Sequence, residues 1–294
     1  MRFRSCSSLS QLPIGALSSD EIRGMKYGII AGNGRFPVIA LEAARRQGDE
    51  AVAIAIREEA WGEVERAAER CYWISLGELS RLIEICKTEG IRQIMMAGQV
   101  KHAKIFSSIR ADWRLFKLLA SLGAKNTESL IGGVARVLAD EGIELVDSTL
   151  LLKPLLATAG VMSRRKPGAE ENRDIEWGRH IAHGLAALDV GQSVAVCDRA
   201  CVAVEAMEGT DSMLRRAAAL AEGRQLRLIK ASSRRRHLLF DVPVIGPGTA
   251  DVMAETGTTA LAIDAGRTLV LDREEFLAKA NNAGLAVVGL EPQG

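Results

Sequence analysis

Short apolar runs alternate with amphipathic stretches along the first half of the chain. Runs rich in Ile, Val and Ala are typical of buried strands, whereas apolar residues that recur every three or four positions are typical of helices. This alternation predicts βαβ units whose right-handed crossovers build a Rossmann-like, mostly parallel sheet. The predicted strands cover residues 26–31, 51–56, 71–74, 91–97 and 143–146, and the predicted helices cover residues 38–47, 61–70, 78–89, 113–122 and 127–140.

The second half keeps helices between strands but also places strands next to each other. A hairpin is predicted through the turn at Asp198 and Arg199. We therefore expect an α/β protein with an N-terminal Rossmann-like, mostly parallel sheet domain and a C-terminal mixed-sheet α/β domain. The predicted strands cover residues 193–197, 201–206, 225–230, 238–242, 259–263, 268–271 and 285–288, and the predicted helices cover residues 172–188, 212–222, 247–255 and 273–283.

A change of composition separates the two predicted domains. Residues 158–173 combine glycine, proline and a basic cluster, which is typical of a linker. The expected N-terminal domain is then residues 25–157, and the expected C-terminal domain is residues 174–294. Residues 1–24 are polar and Ser-rich, without the apolar core of a signal peptide. We expect them to be disordered or a mis-called extension, with Met25 as the natural start.

The composition narrows the class of protein. The 294 residues carry a net charge of +1, and aromatic residues make up only 4%, which argues against a nucleic-acid partner. The five cysteines include no C-x-x-C pair, which argues against a disulfide framework and fits a reducing cytoplasm. No apolar run reaches the roughly 18 residues that a membrane-spanning helix needs. We therefore expect a cytoplasmic protein.

A glycine-containing turn follows the first predicted strand. Gly32 and Gly34 let the backbone approach a phosphate, and the N-terminus of the next helix favours an anion. The turn is not a dinucleotide fingerprint, because Pro37 stands at the third glycine of G-x-G-x-x-G. Glu58 and Glu59 nevertheless lie about where a ribose-binding acid would fall. A plain structural turn, a phosphate or sugar contact, and nicotinamide binding all stay open.

Two segments of the second half join an apolar, strand-like run to carboxylates. Residues 205–211 read EAMEGTD, and residues 240–246 read FDVPVIG. Strands that deliver these acidic groups to one place would make a site for a cation and a phosphate. Thr210 or Asp211 would also cap the following helix, whose free N–H groups bind anions. Either segment taken alone is also compatible with an ordinary strand that leads into a turn.

Five segments carry motifs that occur together in one known family. They read GIIAGNGRFP at residues 28–37, DVGQSVAV at 189–196, VEAMEGTD at 204–211, FDVPVIG at 240–246 and AGRTLVLDR at 265–273. In this combination the chain resembles the LpxI family, the UDP-2,3-diacylglucosamine pyrophosphatases of lipid A biosynthesis. The resemblance runs from about Met25 to the C-terminus, and the combined C-terminal motifs are the specific ones.

The resemblance implies a reaction and a place for it. Members of this family hydrolyse UDP-2,3-diacylglucosamine to UMP and 2,3-diacylglucosamine 1-phosphate (lipid X) with Mg²⁺, and they bind the lipid sugar between two domains. The family's critical aspartate falls on Asp241, and Glu208 and Asp211 lie in a segment that lines the family's site. Lys230, which ends a predicted strand, is a further candidate catalytic residue because it would neutralise charge as the bond breaks. Asp241 and Asp211 are the candidate Mg²⁺ ligands. The resemblance favours attack of water on the phosphorus nearer the sugar.

A set of substrate-binding residues is also predicted, partly from the glycine turn and partly from the family motifs. They are Gly32, Gly34, Arg35, Phe36, Gly98, Gln99, Gly209, Thr210 and Thr249. Gln99 departs from the Asn or Lys that often follows this Ala-Gly pair in relatives, which puts its ligand contact in doubt. Since the substrate that the resemblance implies is a lipid-linked nucleotide sugar of the inner leaflet, we expect peripheral contact with the inner membrane. Whether the protein forms a homo-oligomer stays open.

Two other classes of function stay open beside the pyrophosphatase. The glycine turn and Glu58 motivate a nicotinamide-dependent oxidoreductase. The same cleft without turnover would make a non-catalytic nucleotide-sugar sensor. Asp241 and the acidic segment favour the enzyme over the sensor, because a bare anion sensor gains little from added carboxylates.

Overall fold

The chain forms two α/β units in its computed structural model. The structure describes residues 24–98, 100, 111–122, 127–232 and 242–291. The predicted extension at residues 1–24, apart from Gly24, lies outside the described residues, as does nearly all of the predicted strand at residues 238–242.

The first sheet is parallel, and helices cover both of its faces. Its strands are β1 (Lys26–Ala31), β2 (Glu50–Ile56), β3 (Arg70–Ile74), β4 (Gln93–Ala97) and β5 (Glu144–Leu145), in the order β3-β2-β1-β4-β5. Its helices are α1 (Phe36–Gln47), α2 (Glu63–Ala67), α3 (Leu79–Glu89), α4 (Trp113–Ser121) and α5 (Thr127–Asp140). Ile29 packs in the core beneath α1 and α2, whereas Ile30 packs beneath α3, α4 and α5. The predicted Rossmann-like layer is confirmed, because alternate side chains of one strand enter opposite cores.

The second sheet is mixed and also lies between two layers of helices. Its strands are β6 (Gly160–Val161), β7 (Ser193–Cys197), β8 (Ala200–Val204), β9 (Leu226–Lys230), β11 (Thr258–Asp264) and β13 (Ala286–Leu290), in the order β6-β13-β11-β9-β7-β8. Its helices are α6 (Ala169–Ala187) on one face and α7 (Thr210–Ala221), α8 (Pro247–Glu255) and α9 (Arg273–Asn282) on the other. Strands β9, β11 and β13 are parallel, and β7 runs antiparallel to both β8 and β9. The predicted mixed α/β fold is confirmed.

A short parallel pair of strands lies between the two units. It consists of β10 (Val244–Ile245) and β12 (Leu269–Val270). Leu269 packs in the core of the first unit with a 3₁₀ helix at Leu150–Leu155, whereas Val270 packs in the core of the second. Because successive residues of a strand point to opposite faces, this pair contributes to both cores at once.

The segment that the sequence predicts as a linker folds as part of the second sheet. β6 adds an antiparallel edge strand to β13, and α6 begins at Ala169 rather than at residue 172. Arg165 donates to both carboxylate oxygens of Glu171, at 2.7 and 2.8 Å, and to the carbonyls of Gly284 and Thr259. Arg165 of this segment therefore joins β6, α6 and the neighbouring strands of the sheet.

The 3₁₀ helix at Leu150–Leu155 and strand β10 were not predicted, and the other differences from the predicted elements lie at boundaries. The helix predicted at residues 61–70 covers only Glu63–Ala67, because Ala68 adopts an extended backbone (ψ 144°) and β3 begins two residues later. In the described parts of the chain, no helix combines the length and apolar character needed to cross a bilayer.

The ion pair between Arg165 and Glu171 predicts an acid-sensitive contribution to stability. Burial alone would raise the pKa of Glu171, but Arg165, the Thr259 hydroxyl and the backbone N–H of Gly168 outweigh it and lower the pKa from 4.5 to about 2. A carboxyl with a lowered pKa stabilises the fold above its unfolded-state pKa and loses that contribution as pH falls toward the folded-state value.

We therefore expect Glu171→Gln to lower the free energy of unfolding by about 2 kcal/mol at neutral pH, as for a charge-assisted hydrogen bond. Urea unfolding should show this difference shrinking as pH falls from 4.5 toward 2. Glu176→Gln, at an exposed position of the same helix, is the matched control and should change little. Equal stability of Glu171→Gln and wild type at neutral pH would contradict the assignment.

Candidate functional site

A large cleft lies between the edges of the two sheets. Its volume is about 1340 Å³, and both units contribute to its wall. One side is formed by the turns after β1 and β4 and by helices α4 and α5 of the first unit. The other side is formed by the end of β9, the segment after β8 and the first turn of α7. Concave sites of this kind are where small molecules bind in two-unit α/β proteins.

The first side lies at the switch point of the parallel sheet. β1 pairs with β2 on one side and with β4 on the other, so their connections leave in opposite directions and open a crevice at the strand ends. The N–H of Gly32 donates to the carbonyl of Ala97 at 2.8 Å, which joins the two turns. Gly98 has a φ of +88°, and a Cβ there would lie 2.5 Å from the carbonyl oxygen of Asn33. A side chain at residue 98 would therefore force the two turns apart.

An ion pair crosses from the glycine turn to the second half of the chain. The guanidinium of Arg35 donates to the carboxylate of Asp272 at 2.6 Å, and both residues line the cleft. The Arg35 side chain is 59% exposed, so its charge faces the cleft opening rather than a core. The structure thus places a cation where the turn predicted to contact a phosphate or sugar meets the opposite unit.

A buried lysine forms the centre of the second side. Lys230 ends β9, and its partner in the register is Ser193, the first residue of the antiparallel strand β7. The ammonium group donates to the hydroxyl of Thr210 at 2.8 Å and to that of Ser193 at 3.4 Å. It lies 3.9 Å from the carboxylate of Glu205, and the Lys230 side chain is only 7% exposed. Antiparallel pairing is what brings residues so distant in sequence to one sheet edge.

Glu205 is the counter-charge of this lysine. Burial alone would raise its pKa, but Lys230, the hydroxyls of Ser193 and Thr210 and the backbone N–H of Gln192 lower the pKa below its ordinary range. Thr210 donates to Glu205 at 2.9 Å, and the N–H of Gln192 donates at 3.3 Å. A buried charge is tolerated when it is paired and hydrogen-bonded, and this pair meets both conditions.

The N-terminus of α7 opens into the same part of the cleft. Gly209 precedes the helix with a φ of +83°, and Thr210 is its first residue. The free N–H groups of a first helical turn and the helix dipole favour an anion. Burial and the nearby carboxylates of Glu205 and Glu255 raise the pKa of Asp211, although Arg215 and Lys230 oppose the shift. Beside this helix, the cleft therefore combines N–H donors that bind an anion with a carboxylate whose ionised form a cation would stabilise.

Glu208 also lines the cleft, but Arg216 holds its carboxylate. Its own backbone N–H, Arg216 and the N–H of Ala206 lower the pKa of Glu208. Arg216 in turn donates to the carbonyl of Val204 at 2.9 Å. This arrangement supports the loop before α7. Of the two predicted carboxylates Glu208 and Asp211, Asp211 is therefore the less neutralised.

Mg²⁺ prefers oxygen ligands, and the described residues of the cleft offer carboxylates of this kind. No cluster of three His, Cys, Asp or Glu side chains suited to a metal occurs among them. Mg²⁺ often binds through one or two carboxylates together with substrate phosphates and water, so a full protein cage is not required. The raised pKa of Asp211 marks a carboxylate that a cation would stabilise. The site therefore fits Mg²⁺ brought together with a phosphate.

The first unit contributes an apolar wall to the cleft. We define this wall by Leu115 and Leu119 of α4 and Leu130, Ile131 and Val134 of α5. Leu119 and the three α5 residues are only partly buried, so apolar surface faces the cleft rather than a closed core. One cavity thus joins a polar, charged side to an apolar side, as an amphipathic ligand requires.

The structure brings together the predicted site residues that it describes. The residues that line the cleft are Gly32, Gly34, Arg35, Phe36, Gly98, Glu208, Gly209, Thr210, Asp211, Lys230 and Thr249. Thr249 lies in the first turn of α8, and its hydroxyl accepts from the N–H of Gly246 at 3.4 Å. Asp241 and Gln99 lie outside the described residues, so their predicted roles stay predictions.

Sequence reasoning missed two residues of the polar side. Glu205 belongs to the motif at residues 204–211 but carries no predicted role of its own, and Ser193 is predicted only as part of a strand. A signal for Glu205 existed, because a carboxylate at the end of an apolar strand needs a partner once buried. Ser193 carried no such signal, since only the register between β7 and β9 places it beside Lys230.

The residues that motivated nicotinamide binding are placed elsewhere. Glu58 and Glu59 follow β2, and neither is among the described residues that line the cleft. Only the glycine turn of that hypothesis reaches the cleft.

Solved structures offer only distant similarity. The biotin carboxylase domain of the Hydrogenobacter thermophilus 2-oxoglutarate carboxylase matches 68% of this chain and 42% of its own, with 11% identity and a TM-score of 0.27. An N5-carboxyaminoimidazole ribonucleotide synthetase matches 59% of this chain and 32% of its own, with 14% identity and a TM-score of 0.28. At such scores the similarity supports no inference.

Family models and a curated relative are far more informative. The model described as the LpxI N-terminal domain matches residues 26–155, and the model described as the LpxI C-terminal domain matches residues 158–288. A protein of Caulobacter vibrioides named UDP-2,3-diacylglucosamine pyrophosphatase LpxI is 32% identical over 278 residues, which are 91% of this chain and 98% of that protein. The resemblance found in the motifs is confirmed, and the chain belongs to the LpxI family.

Proposed function

We propose that this protein hydrolyses the pyrophosphate bond of UDP-2,3-diacylglucosamine to give UMP and 2,3-diacylglucosamine 1-phosphate, a step of lipid A biosynthesis. The observation that carries the proposal is the cleft itself. It places Lys230 and the N-terminus of α7 opposite an apolar wall, which matches a ligand with a charged pyrophosphate and two acyl chains. The name of the Caulobacter relative supports the same substrate.

The polar side supplies electrostatic stabilisation for the pyrophosphate. Phosphoryl transfer needs positioning and charge neutralisation more than covalent help from the protein. Lys230 is held in place by Thr210, Ser193 and Glu205, so its charge is already oriented before substrate arrives. The N–H groups at the start of α7 are held in place by the helix itself, so they donate to phosphate oxygens without rearrangement.

Asp211 would hold Mg²⁺ together with the pyrophosphate oxygens, and Asp241 is the further candidate ligand. When bound, Mg²⁺ neutralises charge that develops on the phosphate oxygens as the bond breaks. Asp241, on which the family's critical aspartate falls, is also the candidate that orients the attacking water. Arg35, at the opposite side of the cleft, binds a phosphate or sugar oxygen of the nucleotide.

The apolar wall accommodates the acyl chains. Burying two acyl chains against Leu, Ile and Val side chains removes their surface from water, at roughly 0.8 kcal/mol for each buried CH₂ group. A substrate with such chains resides in a membrane leaflet, so the protein associates peripherally with the inner membrane from the cytoplasmic side.

The first test is a hydrolysis assay with purified protein, UDP-2,3-diacylglucosamine and Mg²⁺. We expect the wild type to release UMP, and we expect Asp241→Ala to fold normally but lose most turnover, because the water-orienting carboxylate is gone. Phosphorus NMR follows both products. Binding of substrate without any turnover by the wild type would replace the enzyme with a nucleotide-sugar sensor, and rapid turnover by Asp241→Ala would remove that residue from catalysis.

Lys230→Met tests the charge at the centre of the polar side. The substitution keeps an apolar stem of similar length and removes the ammonium group, so we expect kcat to fall roughly 100-fold, as when one preorganised donor is lost. Thermal unfolding of the variant separates this effect from loss of fold. Lys279→Met, at a surface ion pair with Asp251, is the matched control and should keep the wild-type rate. An unchanged kcat in Lys230→Met would exclude the proposed role.

A further inference from the structure

Two large aromatic side chains are exposed together on helix α4. Trp113 is 74% exposed and Phe116 is 57% exposed, and their rings stack with centroids 6.0 Å apart. Exposed aromatic pairs of this size are uncommon on a folded surface, because water is a poor solvent for them. Such a pair marks a surface that contacts something other than water.

The same helix forms part of the apolar wall of the cleft. Leu115 and Leu119 line the cleft, while Trp113 and Phe116 lie on the exposed part of the helix surface. Close packing fixes the helix in this orientation, since a Cβ at Gly133 of α5 would lie 2.6 Å from Leu118. The aromatic pair and the apolar wall are therefore two surfaces of one rigid helix.

Basic side chains accompany the aromatic pair. Arg114 and Lys117 are exposed on α4, beside Trp113 and Phe116 respectively. Lys87 of α3 and Arg114 both donate to Glu141, so one carboxylate is shared between two cations. With the N-cap carboxylate of Asp112 counted as well, the three cations around the aromatic pair outnumber the two carboxylates. Aromatic rings with neighbouring Lys or Arg are the combination that binds the interface of an anionic bilayer.

We propose that the surface formed by Trp113, Phe116 and Lys117 docks the protein on an anionic lipid bilayer. This inference rests on the proposed function, because it assumes that the cleft takes a lipid from a membrane. Insertion of the two rings at headgroup level brings the apolar wall next to the acyl region, from which a lipid substrate enters. Lys117 adds attraction to anionic headgroups.

A second copy of the chain is the alternative occupant of this surface. A two-fold contact through α4 would bring Arg114 and Lys117 of one copy toward the same residues of the other. Like charges brought together in this way oppose association. The charge pattern therefore favours a membrane over a second copy.

The test compares vesicle binding of the wild type with that of Trp113→Ser/Phe116→Ser. The probe is a vesicle of phosphatidylethanolamine and phosphatidylglycerol, and the measurement is co-sedimentation of the full chain. We expect the double variant to bind roughly tenfold less, because the inserted apolar surface is lost. Added salt should weaken binding of the wild type, since the Lys117 attraction is screened.

Trp61→Ser is the matched control. Trp61 is 43% exposed and precedes α2, which packs on the opposite face of the first sheet from α4. This variant should bind vesicles like the wild type. Absence of wild-type binding, equal binding by the double variant, or equal loss in Trp61→Ser would each overturn the proposal. So would a wild-type dimer that the double variant converts to monomer, because the surface would then belong to a second copy.

Activity measurements separate this proposal from the proposed function. A short-acyl analogue dispersed in detergent bypasses the membrane, so the double variant should turn it over at the wild-type rate. With substrate embedded in vesicles, the variant should show a raised apparent KM. If the wild type hydrolyses neither form while vesicle binding still depends on the aromatic pair, the proposed reaction fails and the docking surface remains. Thermal unfolding checks that the variant is folded.

Discussion

The placement of the two sheets depends on the short strand pair that both cores share. Leu269 enters the first core and Val270 the second, so neither unit can slide past the other without exposing apolar surface. The backbone N–H of Leu271 donates to the carbonyl of Ile245 at 2.9 Å, which fixes the pair internally. This constraint sets the width of the cleft, and the opposed polar and apolar sides would otherwise have no defined separation.

On the polar side of the cleft, buried charged and hydroxyl groups stabilise one another through ion pairing and hydrogen bonds. Lys230 and Glu205 are each costly to bury alone, but together with Ser193 and Thr210 they form a connected network. The network orients a cation toward the cleft before any ligand is present. The contacts that stabilise this edge of the sheet therefore also orient the positive charge of the site.

Local patterns predicted most of the fold, and long-range pairing together with one local helix cap accounts for what they missed. The alternation of apolar residues was sufficient for β1 and β7, whose observed bounds equal the predicted ones. It could not identify β6, because two exposed residues become a strand only by pairing with β13. The start of α6 was misplaced because Glu171 reaches back to the N–H of Gly168. Motif residues of the site were found by resemblance, whereas Ser193 depends on register alone.

The ion pair between Arg35 and Asp272 has a consequence for how a ligand enters. An exposed pair of this kind contributes at most about 1 kcal/mol, because water solvates both partners well. A phosphate offers the guanidinium a bidentate acceptor with more charge than a carboxylate, so exchange between the two costs little. Asp272 therefore keeps the guanidinium of Arg35 aligned at the cleft, and the ion pair breaks when an anion binds to Arg35. The cation that binds the ligand is thus oriented in advance, and breaking its ion pair adds little to the free-energy barrier for ligand entry.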